Sequence, residues 1–397
     1  MAEKRGWKKS AFGKRFSAYQ EKAAVIFDRR KNVNFFGKNL TIYPARLTTS
    51  VVVLALVLIF LLNIFFPVGG KKEAELNFDA GGEYRQAAYG NNLLVYNNAK
   101  IKEVNKKGRD IWSADIYMTN PSVDVGGSYV VAADLEGKNS AYVFKNGRQV
   151  QEYKIGYTVL SAKISENGYT AFAHDASGYK ARITVFDPDG QEIFAWNSGD
   201  GYLTDIDISD NGRYVAAAQI MTDGEKAYSR LRVLDVRRKT EVSTTVREDV
   251  MISCLKFHGN DKIVAVSDRD LSAYTRSGKL RYAVSFAGKN PTAFQIESER
   301  VMAFVTMDSR GNDLLEIYGA DGRLRGTYAA EGKLNNVTVC GSTIVANERR
   351  EVLRISPGGK VKKRVQVPHD IRLLGLYGDG CEVLAVGNTA ANIVKVK

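Results

Sequence analysis

A turn signature that recurs about every forty residues constrains the fold of this chain more than any other feature. Each copy has an apolar strand, a few polar residues, a glycine and a second strand, as in VNKKGRDIW and YGADGRLRGTY. The glycines of these copies are Gly108, Gly147, Gly190, Gly278, Gly322 and Gly359. Their spacings are 39, 43, 88, 44 and 37 residues, and the double gap is filled by VLDVRRKTEVSTT, which has no glycine.

A second signature has the same period. ISENGYTAFA, which begins at Ile164, recurs 44 residues later as ISDNGRYVAA, which begins at Ile208. Four short strands in a unit of this length are typical of a β-propeller blade. Eight such units can be counted, at residues 84–116, 121–155, 158–197, 203–245, 250–286, 291–330, 334–367 and 370–397. The sequence therefore predicts an all-β fold, an eight-bladed β-propeller.

The last unit is one strand short, because LLGLY, EVLAV and NIVKVK supply three strands before the sequence ends. The segment GGKKEAELNF, shortly before the first unit, resembles PGGKVKKRVQV of the seventh unit. A closed ring leaves no open strand edge, so we expect residues 71–79 to complete the eighth blade. Seven blades and an irregular N-terminal segment are the alternative.

A stretch without any charged residue lies between Arg46 and Lys71. About twenty apolar residues span a bilayer, and a helix buried in a soluble core would keep a polar face, which this stretch lacks. The sequence therefore predicts a transmembrane helix over residues 47–68. It would separate a basic tail, residues 1–46, from the propeller, residues 71–397.

Charge distribution predicts the orientation of this anchor. The tail holds twelve basic and three acidic residues, which is +9 of the net charge of +13. The positive-inside rule then places the tail in the cytoplasm and the propeller outside, in a single-pass protein of the cell membrane. A cleaved signal peptide is the alternative. Within the tail, a basic amphipathic helix around Phe16, Tyr19 and Phe27 and a disordered segment are both open.

The repeats carry a family resemblance. The ISxNG turn resembles the strand–turn element of WD-like and TolB-like propellers, and residues 71–397 look like the eight-bladed quinoprotein-like superfamily. Basic tail, anchor and propeller together resemble an uncharacterised family of membrane-anchored, pyrroloquinoline-quinone-like propeller proteins of Gram-positive bacteria. The resemblance implies a fold and no activity.

The sequence contains no motif of a known catalytic, cofactor or metal site. The quinoproteins hold their quinone beside two adjacent cysteines and carry docking tryptophans in each blade, and this chain has neither feature. Its three histidines, His174, His258 and His369, fall in three different units without metal-ligand spacing. Cys254, Cys340 and Cys381 are far apart in sequence and are expected to be free thiols. We predict no catalytic residue, no cofactor, no metal and no nucleic-acid partner.

Two surfaces are candidates for binding. Aromatic residues and a histidine near the starts of the third and fourth units could form a ligand or partner face, since propellers often bind at that edge; packing between blades is the alternative. These residues are Tyr157, His174, Trp196 and Tyr202.

Basic residues in the third-to-fourth-strand turns could form a rim that faces an anionic membrane; solvated turn charges are the alternative. The rim residues are Lys106, Lys107, Arg237, Arg238, Lys239, Lys360, Lys362, Lys363 and Arg364. The first-to-second-strand turns of the same face are acidic and lie nearer the axis.

These observations favour a non-enzymatic binding or scaffold module that is anchored in the membrane and binds an envelope protein or polymer. The alternatives are an exported enzyme, either a divergent redox protein or a glycan hydrolase or lyase, and a sensor that signals to the tail.

Overall fold

The structure is a computed structural model that describes residues 31–35, 38–42, 54, 72–73, 83–137, 140–224, 226–286, 288–289, 291–388 and 390–397. The predicted helix over residues 47–68, apart from Leu54, and the tail pattern around residues 16–27 lie outside this described part. Among the described residues, no helix is long and apolar enough to cross a bilayer. Lys71–Lys397 is one compact unit.

In the basic tail the structure describes a short antiparallel hairpin. Strand β1 (Lys31–Phe35) pairs with β2 (Lys38–Ile42), so that Lys31 lies opposite Ile42 and Phe35 opposite Lys38. The tail was expected to contain a helix or a disordered segment, and this hairpin was not predicted. A glycine between two short strands, here Gly37, is nevertheless typical of a hairpin turn.

The propeller strands pair as four-stranded antiparallel sheets, each of which is a blade. Blade 1 contains β4 (Arg85–Tyr89), β5 (Asn92–Tyr96), β6 (Lys100–Val104) and β7 (Asp110–Asp115). Blade 2 contains β8 (Pro121–Gly126), β9 (Tyr129–Asp134), β10 (Ser140–Lys145) and β11 (Arg148–Lys154). Blade 3 contains β12 (Val159–Ile164), β13 (Thr170–Ala176), β14 (Tyr179–Phe186) and β15 (Glu192–Ser198). Blade 4 contains β16 (Tyr202–Ile208), β17 (Tyr214–Asp223), β18 (Lys226–Asp235) and β19 (Thr240–Glu248).

The second half of the ring follows the same pattern. Blade 5 contains β20 (Ile252–His258), β21 (Lys262–Ser267), β22 (Asp270–Thr275) and β23 (Leu280–Ser285). Blade 6 contains β24 (Ala293–Gln295), β25 (Val301–Met307), β26 (Asp313–Gly319) and β27 (Leu324–Ala329). Blade 7 contains β28 (Leu334–Cys340), β29 (Thr343–Glu348), β30 (Glu351–Ile355) and β31 (Val361–Gln366). Blade 8 contains β32 (Leu373–Leu376), β33 (Glu382–Val386), β34 (Ala391–Lys395) and, from the other end of the chain, β3 (Lys72–Glu73).

Strand β3 closes the ring. It pairs antiparallel with β34, with Lys72 opposite Ile393 and Glu73 opposite Asn392, and so becomes the fourth strand of blade 8. The prediction of eight blades is therefore confirmed, and the seven-bladed alternative is wrong. The structure describes two residues of the predicted closing segment as strand, because residues 74–82 lie outside its described part.

The recurring glycine turn joins the third to the fourth strand of each blade from 1 to 7, except that blade 4 uses a lysine. In this turn Gly108 has φ of +74°, and in blade 4 Lys239 has φ of +56°. Every one of these seven hairpins has a bulge just after the turn, where the fourth strand carries one extra residue, at Ile111, Val150, Ile193, Val242, Arg281, Arg325 and Lys362. A bulge that follows a tight turn requires a left-handed residue, which explains the repeated glycine.

The hydrophobic core lies between neighbouring blades. One cluster joins Ala216 and Leu231 of blade 4 to Ile252 and Leu255 of blade 5. Blades 1 and 8 share a similar cluster, which includes Leu93 and the fully buried Tyr377. The alternation of apolar residues in each strand therefore buries side chains between sheets, and the last interface is as apolar as the others.

Because adjacent strands of a blade are antiparallel, their connections emerge alternately at two faces of the ring. We call the upper face the one with the loops between second and third strands and the links between blades. The lower face carries the turns between first and second strands and between third and fourth strands. The acidic turns and the basic rim residues therefore share the lower face, as the repeat register predicts.

Candidate functional site

Two of the predicted face residues, Tyr157 and His174, lie against each other on the upper face. Tyr157 belongs to the link between blades 2 and 3, and His174 to strand β13. Their ring centroids are 6.0 Å apart and their planes differ by 16°, which is a stacked arrangement. Tyr157 is 44% exposed and His174 only 5%. The histidine thus supports the inner side of the tyrosine ring, whose outer side faces solvent.

The protonation of His174 follows from its partners. Its Nδ1 lies 2.7 Å from the carbonyl oxygen of Asp175, which can only accept, so Nδ1 carries a hydrogen and donates it. Burial lowers the pKa of His174 below its ordinary value, so the ring is neutral and Nε2 accepts from the Thr184 hydroxyl at 3.0 Å. Both ring nitrogens are occupied. His174 is therefore a supporting residue and offers no free base.

A pocket of about 450 Å³ opens beside this pair, between blades 2 and 3. Tyr157 and Tyr179 stand at its mouth, and Tyr153 packs against Phe186 in its wall with ring centroids 4.5 Å apart. Of its charged lining residues, Arg182 donates to Glu192 at 3.0 Å, while Glu152 and Lys154 are exposed. The aromatic wall and mouth of the pocket offer a surface on which an apolar side chain of a partner can pack.

The other two predicted residues of this face lie outside the pocket lining. Trp196, in strand β15, is half-buried in the core between blades 3 and 4, with the Arg232 guanidinium 5.6 Å from its ring centroid. Tyr202 is 57% exposed at the start of β16, and its hydroxyl accepts from the Lys180 ammonium at 3.0 Å. The structure thus places Tyr202 on the same exposed face as Tyr157, and Trp196 in a packing position.

The exposed large apolar side chains of the described propeller fall into two groups. One group lies on fourth strands, at the outer edges of blades: Ile111, Val150, Val242, Val246, Leu280 and Leu324. The other group lies on the upper face: Tyr117, Tyr157, Tyr179, Tyr202, Met251 and Met307. Leu160, in the first strand of blade 3, belongs to neither group. The described lower-face turns contain no such residue, although some fourth strands begin next to that face with an exposed apolar residue, as at Leu280 and Leu324.

Charged side chains on the first strands form a network in the central channel. Four of them occupy equivalent positions of consecutive blades with alternating sign: Asp124, Lys163, Asp207 and Lys256. Burial alone would lower the pKa of Lys163, but the carboxylates of Asp124, Asp205 and Asp207 reverse this and raise it. Burial raises the pKa of Asp207 to about 6, although Lys256 and Lys163 act in the opposite direction.

This channel network is largely paired within itself. The Lys256 ammonium lies 3.0 Å from Glu297 and 3.9 Å from Asp207. Asp207 also accepts the backbone N–H of Phe257 at 2.7 Å. Because these charges are compensated by one another and by backbone groups, we interpret the network as a connection between blades.

Below the network, a pocket of about 240 Å³ lies at the lower mouth of the channel. Its acidic lining includes Glu166, Asp210 and Glu299, from the turns of blades 3, 4 and 6. Burial, and then the charges of Glu166 and Glu299, raise the pKa of Asp210 above its ordinary value. The centre of the lower face is therefore electronegative.

The basic rim residues surround this acidic mouth, but they are not equivalent. Lys106 pairs with Asp379, Arg364 donates to Glu351 at 2.7 Å, and Lys363 donates to the carbonyl oxygen of Lys397 at 3.1 Å. The remaining rim residues are exposed and show no ion pair within the described part of the chain: Lys107, Arg237, Arg238, Lys239, Lys360 and Lys362.

The described residues contain neither a disulfide nor a cluster of side chains that could hold a metal ion. Cys254, Cys340 and Cys381 are free and half-buried. Burial raises the pKa of the Cys254 thiol to about 12, which keeps it protonated. Within the described residues, no group of three or more His, Cys, Asp or Glu side chains could hold a metal ion.

Residues 71–395 match a protein family described as a family of unknown function, DUF5711. The chain belongs to this family. The matched range covers the propeller strands β3 to β34, so the DUF5711 pattern describes the closed ring together with its N-terminal closing strand. No curated protein matches the chain.

Several solved propellers share the fold of this DUF5711 member. BamB from Moraxella catarrhalis is 12% identical with a TM-score of 0.51, and the match covers 78% of this chain and 96% of BamB. The C-terminal WD40 domain of Sif2 is 11% identical with a TM-score of 0.56 over 82% and 99%. Sqt1 of Chaetomium thermophilum, solved bound to the N-terminus of ribosomal protein L10, is 12% identical with a TM-score of 0.55 over 82% and 100%. At these identities the likeness shows the fold alone.

Proposed function

We propose that this DUF5711 propeller is a non-enzymatic binding module, anchored outside the cell membrane by the predicted helix, whose upper face binds an envelope protein. One observation carries the proposal. The exposed tyrosines and methionines of the ring lie on the upper face, from Tyr117 after blade 1 to Met307 in blade 6. Tyrosine and methionine are enriched in protein interfaces, because they combine apolar area with a polar or adaptable end.

The spread of these residues favours a protein over a small ligand. They are distributed over several blades, whereas a small molecule would contact one pocket. Part of the upper-face charge is paired, since Arg230 lies 2.6 Å from Asp200 and Arg350 lies 2.7 Å from Asp370, whereas Arg349 and Arg372 are exposed and have no ion pair among the described residues. We infer that the partner packs apolar side chains against the exposed tyrosines and methionines of this face.

A propeller of the same fold, Sqt1, was solved with the N-terminal segment of another protein bound to it, and this complex is an analogy for the present chain. We infer the same mode here, with a partner segment that places an apolar side chain in the pocket beside Tyr157 and Tyr179. With the basic tail in the cytoplasm, the partner would lie in the cell envelope.

Site-specific photo-crosslinking in intact cells tests this function. A photo-reactive amino acid placed at Tyr157, Tyr202 or Met251 should crosslink to one and the same protein. The same amino acid at Val150 or Ile111, which are exposed on fourth strands, should not, and these positions are the matched controls. Changing Tyr179 to Glu should remove the adduct at Tyr157, because a buried unpaired carboxylate is costly at an interface.

Two results would contradict the proposal. Equal adducts from the control positions would mean that the crosslinks reflect collision. A heterogeneous adduct that an envelope glycan hydrolase removes would mean that the upper face binds a polymer.

A further inference from the structure

Five exposed or half-buried lysines lie together at the lower edge of blades 7 and 8, and we call them the blade 7–8 patch: Lys360, Lys362, Lys363, Lys395 and Lys397. The patch spans both blades, because Lys363 donates to the carbonyl oxygen of Lys397 at 3.1 Å and Arg354 to that of Val396 at 3.4 Å. In β31, the side chain of Lys362 is exposed, and that of the preceding residue, Val361, is half-buried. Glu382 is the cross-strand neighbour of Lys395.

The chain enters the ring beside this patch. Strand β3 runs antiparallel to β34, so its first residue, Lys72, lies nearer than Glu73 to the end of β34 that holds Lys395. In the sequence, only residues 69–71 separate Lys72 from the predicted anchor over residues 47–68. An extended chain spans about 3.5 Å per residue, so the four residue steps from residue 68 to Lys72 reach at most about 14 Å. A helix that ends at the membrane surface would hold this edge of the ring close to the lipid headgroups.

The rest of the lower face is unsuited to lie flat on an anionic membrane. Its centre is the acidic mouth of Glu166, Asp210 and Glu299, which anionic headgroups would repel. On blades 5 and 6 the turn arginines are paired, since Arg281 lies 2.8 Å from Asp261 and Arg325 lies 2.8 Å from Asp321. Among the described residues, the blade 7–8 patch has lysines without an ion pair, Lys360 and Lys362, on the edge that the predicted tether joins.

We propose that the propeller docks on the anionic membrane surface edge-on, through the blade 7–8 patch, with the acidic mouth and the upper face turned away from the lipid. The occupant is the anionic lipid surface itself. The inference rests on the anchor in the proposed function and adds the orientation that leaves the upper face open to a partner. Blade 4, with Arg237, Arg238 and Lys239, lies across the ring from blade 8 and stays beyond the screening length of about 8 Å at physiological salt.

Lysine footprinting on the full chain in liposomes tests the orientation. The chain is reconstituted in phosphatidylcholine alone or in an equimolar mixture with phosphatidylglycerol, and then acetylated by a membrane-impermeant reagent. Acetylation of Lys362 and Lys395 should be about fivefold slower or more in the anionic liposomes. The attraction of one basic residue to an anionic surface corresponds to a factor of about five in the binding constant. Lys239, on blade 4 across the ring, should react equally in both, and high salt should remove the difference at Lys362 and Lys395.

Two charge-reversed variants complete the test. Changing Lys360 and Lys362 to Glu should abolish the protection of Lys395, whereas changing Arg237 and Arg238 to Glu should leave it intact. All four side chains are exposed, so both variants keep the fold, and equal melting temperatures would verify this. Protection of Lys239 equal to that of Lys362 would mean a flat orientation and would overturn the inference, as would protection in neither lipid. Loss of the chain from the liposomes in an alkaline wash would refute the anchor itself and the inference with it.

Discussion

The Asp124 carboxylate of blade 2 accepts the backbone N–H of Ile164 in blade 3 at 2.8 Å. First strands of neighbouring blades belong to different sheets, so their backbone groups that face the channel need side-chain partners. Between blades 4 and 5 the same bond recurs, from Leu255 to Asp205 at 2.9 Å and from Phe257 to Asp207 at 2.7 Å. The channel carboxylates therefore join blades where no sheet does.

Replacing Asp124 by alanine should lower the stability of the propeller. The change leaves the Ile164 N–H without its partner and removes one of the carboxylates that compensate Lys163. A loss of about 2 kcal/mol is expected for an unsatisfied donor beside a less compensated charge. Asp200→Ala is the matched control, because Asp200 is exposed and its surface pair with Arg230 should contribute under about 1 kcal/mol. Circular dichroism melting of the full chain in detergent measures both, and equal losses would contradict the structural role of Asp124.

The pH dependence of stability should carry a contribution from Asp207. Burial raises its pKa in the folded chain to about 6, whereas an unfolded aspartate has a pKa of about 3.9. Between these values the folded chain binds the proton more tightly, so this contribution to the free energy of unfolding decreases as the pH rises from about 4 to about 6. The change is at most about 3 kcal/mol.

Asp207→Asn isolates this contribution, because the amide oxygen can still accept from Phe257 but does not titrate. The unfolding free energies of the native chain and the variant, from urea titrations between pH 4 and 7, should converge or cross over that range and then run parallel. Parallel curves throughout would show that the carboxyl has an ordinary pKa.

The sequence was sufficient to predict the blades, because each one repeats the same local turn. Gly108 and Gly359 lie at equivalent bulged turns, and such a turn depends on a few adjacent residues. The channel network was missed although its pattern is present. Aligning the repeats brings Asp124, Lys163, Asp207 and Lys256 to one position with alternating charge, but each residue alone resembles an ordinary exposed strand residue.

The upper-face pocket was only partly predictable. Tyr157 was predicted on this face because it precedes a first strand, and His174 was predicted on the same face without a local pattern of its own. That the two rings stack, and that Tyr153 and Phe186 form the wall beside them, depends on how blade 2 packs against blade 3. Trp196 has the same local pattern as a surface aromatic, and only the packing of blade 4 against it makes it half-buried.

Ring closure by β3 should be sensitive to backbone substitution and insensitive to side-chain truncation. Strand β3 is the edge of blade 8, and in an antiparallel pair one of two adjacent residues donates its N–H to the neighbouring strand, so changing both Lys72 and Glu73 to Pro removes a bond to β34. We expect a lower melting temperature and faster amide hydrogen exchange in β34. Glu73→Ala keeps the backbone and should behave as the native chain does. If both variants match the native chain, β3 does not contribute to the stability of blade 8.

The predicted topology has a direct test. Protease added to intact protoplasts should digest the propeller and leave a fragment that contains the tail and the helix, because the basic tail is expected inside. An antibody against residues 1–30 detects that fragment, and lysed protoplasts are the control in which the tail is also cut. A propeller that survives in intact protoplasts and is cut only after lysis would place it inside the cell.

Lys239 offers a stabilising substitution. It has φ of +56° at the one glycine-type turn that lacks glycine, and the left-handed conformation costs a residue with a side chain about 1 kcal/mol. Lys239→Gly should therefore raise the melting temperature of the full chain by about 2 °C, a gain reduced by the greater freedom of glycine in the unfolded chain. In the next blade, Gly278→Ala should lower the melting temperature, since Gly278 has φ of +82° and an added methyl group would lie 2.9 Å from the Thr245 hydroxyl oxygen.

Lys239→Ala separates the effect of backbone conformation from that of charge. It removes the same lysine but keeps the strained backbone, so it should not stabilise the chain. If Lys239→Ala stabilises as much as Lys239→Gly, then repulsion from Arg237 and Arg238, and not the left-handed backbone, limits the stability of this turn.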